Sequence, residues 1–329
     1  MQHTQPPSST APARIALLDV LRGGALVAMA IYHFAWDLEF FGYTEPGTTA
    51  VGGWRIFARS IASTFLVLVG VGLYLAHRNG VRWPPYWRRM AMIVGAAAVI
   101  SVATYIATPD MFIFFGILHQ IAFASLVGLL FLRLPPLVTA GIAIGVIALP
   151  VFWTSSLFDS PFLWWTGLAE SRPRSSDFVP AFPWFGAVLL GIAAAGLADR
   201  AGVFARLAPV RPGAWSRPLS FAGRHSLAFY LIHQPVIIVV IWVASQIFPA
   251  PLATPQARFT ASCERSCAQD RDAAFCTAYC GCMLGAIEER GLLDSAFEPG
   301  ADEIYGATVR EMARQCTAQT ETIDTGEAQ

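Results

Sequence analysis

The sequence predicts an all-α, polytopic membrane helix bundle of about seven spans, followed by a small disulfide-bonded helical C-terminal module. Three observations predict it. Of the 329 residues, 55% are hydrophobic and 13% charged, about half the charge of an ordinary soluble domain, which argues against a soluble enzyme. Apolar runs recur from Leu17 to Phe248, each near the roughly 20 residues that cross a bilayer. All six cysteines lie between Cys263 and Cys316, so the tail is built differently from the body. The zero net charge hides the same division: residues 1–257 hold 16 basic and 9 acidic residues, and 258–329 hold 6 and 13.

Residues 1–13 are polar, rich in Gln, Pro, Ser and Thr and without periodicity, and are read as a disordered arm. The first apolar segment is too long and too polar inside for a signal-peptide core, and no small-residue cleavage site follows it, so it is expected to remain as a span. Helices are expected at about 16–38, 56–76, 90–108, 112–132, 136–153, 181–198 and 223–248, separated by short basic or Pro-rich breaks. These make a transmembrane domain over 14–250. With the N-terminus in the cytoplasm, twelve arginines collect on the inside, and only Arg55, Arg59, Arg172 and Arg174 fall outside. That bias is the one the positive-inside rule expects.

An odd number of spans puts the 255–329 tail on the outer, oxidising side, where disulfides persist. Cys263-x3-Cys267 and Cys276-x3-Cys280 each place two thiols on one helix face, separated by eight residues that can form a turn. Two antiparallel helices stapled by Cys263–Cys280 and Cys267–Cys276 would leave Cys282 and Cys316 to pair. Six cysteines allow fifteen connectivities, so other pairings stay open. A metal site is the rival reading, weakened because the tail has no His and Cys-x3-Cys is not the usual zinc spacing. No resident metal or cofactor is expected.

Ionisable groups inside a membrane are costly and mark function by default. The first span carries Asp19, Arg22, His33 and Asp37, and at 100° per residue all four share one stripe. Arg22 and His33 are separated by about 16 Å of helix rise. His33 and Asp37 lie one turn apart, so the carboxylate can hold one imidazole nitrogen and raise the basicity of the other. The bland alternative is a buried structural histidine. Asp19 and Arg22 alternatively form a local ion pair at the start of the helix.

Arg55 and Arg59 open the second span, where they can bind an anionic group, pair with Asp37 or snorkel to lipid phosphates. His119 follows Gly116 in the fourth span. The seventh is expected to begin at Gly223-Arg224-His225-Ser226 and to continue to His233-Gln234-Pro235. A helix N-terminus carrying Arg, His and Ser suits phosphate.

These residues carry a resemblance. The chain resembles the bacterial relatives of heparan-alpha-glucosaminide N-acetyltransferase, which share its catalytic-domain family. The likeness rests on Leu18 to Gly23, His33 to Leu38, Phe65 to Gly72, Phe115 to Ile121, Pro183 to Gly186 and Gly223 to Pro235. The Leu-Asp-x-Leu-Arg-Gly start, with a His eleven positions after its Arg, is also similar to the broader membrane O-acyltransferases of bacterial surface sugars. The resemblance implies acyl transfer across the inner membrane, from cytoplasmic acetyl-CoA or another acyl-CoA to a hydroxyl or amine of an outer-face saccharide-like acceptor. It makes His33 the catalytic candidate, oriented by Asp37. Arg22, Arg224, His225 and Ser226 would hold CoA phosphates, with Arg59, His119 and His233 as further substrate-binding candidates.

Two departures put the acceptor in question: the animal enzyme's large lumenal domain is lacking, and the Cys-rich tail is added. Expected partners are acyl-CoA, the acceptor and the lipid bilayer, with a homo-oligomer left open and no nucleic acid. Two rival functions remain. A haem-binding electron carrier would draw axial ligands from His33, His119, His225 and His233, and a transporter or flippase would use the polar stripe as a proton relay.

Overall fold

The computed structural model describes residues 15–45, 47–171, 173–251, 254–268, 271–293 and 303–326. The expected disordered arm at 1–13, and Arg14 and Arg172, lie outside them. Among the described residues the chain is helical, without strands. Five helices are long and apolar enough to cross a membrane: α1 (Ala16–Phe40), α2 (Gly52–His77), α3 (Trp83–Ala107), α6 (Ala181–Arg200) and α9 (Ser226–Ile247). Two shorter apolar helices, α4 (Ile117–Val127) and α5 (Pro136–Phe152), fall where two further spans were expected. The α4 helix is short because Phe112 to Gly116 stay outside it, and a 3-10 turn continues it through Gly128–Phe131. Pro136 sits in the first turn of α5, where a missing N–H costs no hydrogen bond.

The expected seventh span is divided. A separate helix, α8 (Arg217–Arg224), follows a short α7 (Val203–Leu207), and the long helix begins only at Ser226. His225, which caps α8 with a backbone outside the helical region, makes the break.

The chain clusters into two compact units, one of residues 1–30 and 56–233, the other of 31–55 and 234–329. In the first, Leu66, Leu73, Ala124, Ala143, Phe185, Val188, Leu189 and Ile192 form a buried core from α2, α4, α5 and α6. Glycines set its closeness. A methyl group on Gly70 would strike the Val188 carbonyl, and one on Gly191 the Val67 carbonyl, so α2 and α6 touch backbone to backbone. Two of the segments that carry the resemblance, Phe65 to Gly72 and Pro183 to Gly186, belong to these two helices. Large apolar side chains stay exposed on α3 and α9, as lipid-facing surfaces require.

In the second unit α10 (Pro255–Cys267), α11 (Ala273–Glu289) and α12 (Glu303–Gly326) form the tail. Thr254 and Asp272 cap the first two by accepting bonds from Ala257 and Phe275 N–H. Disulfides join Cys263 to Cys280, Cys267 to Cys276 and Cys282 to Cys316. Met283, Ile287 and Met312 are buried beside Cys316, a core small enough that crosslinks supply much of its order. Arg258 donates to the Phe40 carbonyl at 3.2 Å, and Arg265 pairs with Glu45 at 2.7 Å. The tail is thus fastened to the loop after α1. That loop is itself held by Glu39, whose carboxylate accepts from Gly47 N–H, Thr49 N–H and the Thr49 hydroxyl.

Candidate functional site

In the first unit, two distant sequence motifs meet. A methyl group on Gly23 would collide with the Leu219 carbonyl, and one on Gly223 with the Asp19 carbonyl. The Leu-Asp-x-Leu-Arg-Gly start of α1 and the Gly-Arg-His-Ser segment at the end of α8 therefore lie in backbone contact. Both glycines are needed because each faces the other helix's main chain. Asp19 is 3% exposed, and Arg22 Nη1 lies 3.3 Å from its Oδ1. The local ion pair weighed from the sequence is present, and Arg22 Nη2 lies 3.1 Å from where a side chain at Gly72 would begin.

Beside this contact, Pro212, Ser216, Arg217, Ser220, Phe221 and Arg224 line a cavity of about 430 Å³. Spacings of three, four and seven residues put Arg217, Ser220, Phe221 and Arg224 on one face of α8. The anion-suited edge thus has Arg224 at the C-terminal end of α8, with Arg217 and Ser220 joining it; the sequence reading had put Arg224 at the N-terminus of the last span. A break in the helix, not visible as a proline or glycine at 225, made the difference. His225 is exposed and its Nδ1 donates to the Phe221 carbonyl at 3.0 Å. Ser226 is the first residue of α9.

His119 has both ring nitrogens engaged. Its Nδ1 accepts from Gly116 N–H at 3.2 Å, so the proton is on Nε2, 3.3 Å from Ser101 Oγ, whose own proton goes to the Ile113 carbonyl at 2.6 Å. Asp177 completes the entry to α4 by accepting from Ile117 N–H at 2.8 Å, and burial pushes its carboxyl up to about 6. His119 therefore shapes the start of α4. The next residue is more available: Gln120 is 0% exposed, and neither of its amide atoms has a hydrogen-bond partner among the described residues. Buried amides are nearly always bonded, which makes Gln120 a candidate contact for a ligand. The sequence signalled it only as the neighbour of a suspect histidine. His233 donates from Nδ1 to the Tyr230 carbonyl at 2.7 Å, which leaves Nε2 of the neutral ring as its lone-pair nitrogen.

In the second unit, Asp37 is 0% exposed. Its Oδ1 accepts from Gln234 Nε2 at 2.8 Å, whereas the sequence reading had expected the imidazole of His33. A hydrogen bond across helices won over one along α1. Asp37 Oδ2 and Gln234 Oε1 are both buried without hydrogen-bond partners among the described residues. Two acceptors thus stand ready for a donated proton one helical turn from His33. His33 is half-buried, with the Tyr32 ring edge-on at 5.7 Å. Gln234 was missed as a site residue, since only its place after His233 marked it. Arg55 and Arg59 are exposed on the first turns of α2.

Over residues 14–235, more than half of the chain, the sequence matches the family described as heparan-alpha-glucosaminide N-acetyltransferase, catalytic. No curated protein and no solved structure matches it.

Proposed function

From the premise that the chain belongs to the heparan-alpha-glucosaminide N-acetyltransferase catalytic family, a family of transmembrane acyltransferases, we propose that it moves an acyl group from cytoplasmic acyl-CoA to an outer-face acceptor. The acceptor offers a hydroxyl or amine on a saccharide-like molecule. His33 takes the acceptor's proton as its oxygen or nitrogen attacks the thioester carbonyl. The carbon–sulfur bond then breaks, and the CoA thiolate leaves and is protonated. Transfer through an acyl group carried on His33 is the stepwise variant of the same chemistry.

The observation that carries this reading is the buried Asp37–Gln234 pair, with two unused acceptor oxygens one turn from His33. A hydroxyl or amine approaching the imidazole finds there a second partner for its remaining hydrogen. In the first unit Gln120, whose amide atoms have no hydrogen-bond partner among the described residues, joins His119 and His233 as a candidate contact for substrate. The cavity lined by Arg217, Ser220 and Arg224 supports a place for the CoA phosphates, and Arg22, His225 and Ser226 remain candidate contacts for them. Arg59 remains a candidate contact for an anionic acceptor. The inner-membrane location, with the N-terminus inside and the tail outside, rests on the arginine distribution and the disulfides.

The test is CoA-thiol release by purified protein supplied with acetyl-CoA and candidate surface saccharides. His33→Ala, correctly inserted, should release no thiol above background. Full activity in that variant would overturn the mechanism, and acceptor flux without CoA consumption would favour a transporter.

A further inference from the structure

A second cavity lies in the first unit, between the end of α2, the start of α3 and the last turn of α4. It measures about 150 Å³ and is lined by Leu73, His77, Arg82, Tyr86, Arg89 and Ser125 among others. No residue of the proposed transfer site lines it. Polar groups at its wall are prepared but unused. Ser125 is 5% exposed, and neither its Oγ nor His77 Nδ1 has a hydrogen-bond partner among the described residues. Tyr86 closes one wall, donating to the Ser125 carbonyl at 3.3 Å and meeting the His77 ring edge-on at 5.6 Å. Arg82 and Arg89 are exposed at the mouth, and neither has an ion-pair partner among the described residues.

Two unpaired guanidiniums above two unpaired buried polar atoms call for an oxyanion. The volume is below the roughly 300 Å³ at which pockets for whole small ligands begin, so the cavity takes a head group and leaves the rest of the molecule outside. What lies outside is apolar. Leu73, Met90 and Ile93 add apolar surface to the lining, and further along α3 large apolar side chains, Met92, Val94, Val99 and Val102 among them, are exposed. Trp83 and Trp87, stacked at 6.3 Å and each 52% exposed, both meet the ring of Tyr86 in the cavity wall edge-on. Indoles in such a place mark the level of lipid head groups.

We infer that this cavity is a binding site for an anionic phospholipid. The phosphoryl group sits between Arg82 and Arg89, within reach of His77 and Ser125, and the acyl chains stay outside the cavity in the surrounding bilayer. Basic pockets between spanning helices recognise lipid head groups by this chemistry.

The test is native mass spectrometry of the full chain released from nanodiscs of phosphatidylglycerol, of phosphatidylcholine and of their mixture. Wild-type protein should retain phosphatidylglycerol in preference to phosphatidylcholine. The Arg82→Gln/Arg89→Gln variant should lose retention by roughly thirtyfold, the combined contribution of two surface arginines. Ser125→Ala, which removes one hydroxyl from a helix that otherwise keeps its packing, should weaken retention by a smaller factor. Equal retention of the two lipids by the wild type, or unchanged retention in both variants, overturns the proposal. Displacement of the lipid by millimolar CoA or inorganic phosphate would also overturn it, because the pocket would then belong to a soluble phosphate.

Discussion

Replacing Gln234 by Leu tests the long-range polar bond that holds Asp37 in the proposed proton-transfer site. The substitution keeps the volume and the helix propensity of the position in α9, and removes the amide that donates to Asp37 Oδ1 at 2.8 Å. Asp37 is 0% exposed and its Oδ2 already has no hydrogen-bond partner among the described residues, so the variant leaves both oxygens of a buried carboxyl unpaired. A hydrogen bond to such a group contributes about 1.5–3 kcal/mol. At about 2–4 °C per kcal/mol for a large domain, the melting temperature in detergent should fall by about 3–12 °C. The control is a double-mutant cycle with Asp37→Asn. Once Asp37 has been changed, the Gln234→Leu substitution should cost much less, giving a coupling energy above about 1 kcal/mol. Thiol release should fall in Gln234→Leu mainly through kcat, since the pair positions the base and does not hold the donor. A Gln234→Leu protein that melts within about 1 °C of wild type, or a coupling below about 0.5 kcal/mol, would refute the reasoning.

Three further outcomes are expected. Gln120→Leu replaces a buried amide whose two polar atoms are unbonded among the described residues by an apolar side chain of similar size, so the protein should become more stable while kcat falls; a variant with unchanged kcat would remove Gln120 from the reaction. Arg224→Ala, and Arg217→Ala on the same face of α8, should raise KM for acyl-CoA more than KM for the acceptor, and the opposite pattern would move the donor phosphates elsewhere. Asp177, with its folded carboxyl at about 6 against an ordinary value of 3.8, binds its proton more tightly folded than unfolded. Its stabilising contribution is therefore complete below pH 3.8 and is lost as the pH rises through 6. Asp177→Asn keeps an oxygen for the Ile117 N–H and cannot ionise, so its melting temperature should lack the decline that wild type shows across that window; parallel profiles for the two proteins would exclude this role.

The sequence by itself determined the fold class, the family and the character of the tail. Apolar runs of bilayer length need no tertiary information, because each helix satisfies its own backbone. Cysteine spacing at one helix face suggested the pairs Cys263–Cys280 and Cys267–Cys276 among fifteen connectivities, and the structure selected them. The stripe of Asp19, Arg22, His33 and Asp37 followed from helix geometry alone. Partners across helices were a different matter. One turn of α1 brings His33 and Asp37 to the same face, but only the packing of α9 decided that Gln234 takes the Asp37 bond. Only the folded turn before α4 showed that His119 is consumed by Gly116 and Ser101, leaving Gln120 as the buried amide with capacity to spare. The break at His225 and the glycine contacts of Gly23 and Gly223 were also invisible in the sequence. Periodicity tells which face of a helix is polar, whereas the identity of a hydrogen-bond partner depends on which backbone comes close enough, and closeness between distant segments is a property of the tertiary structure.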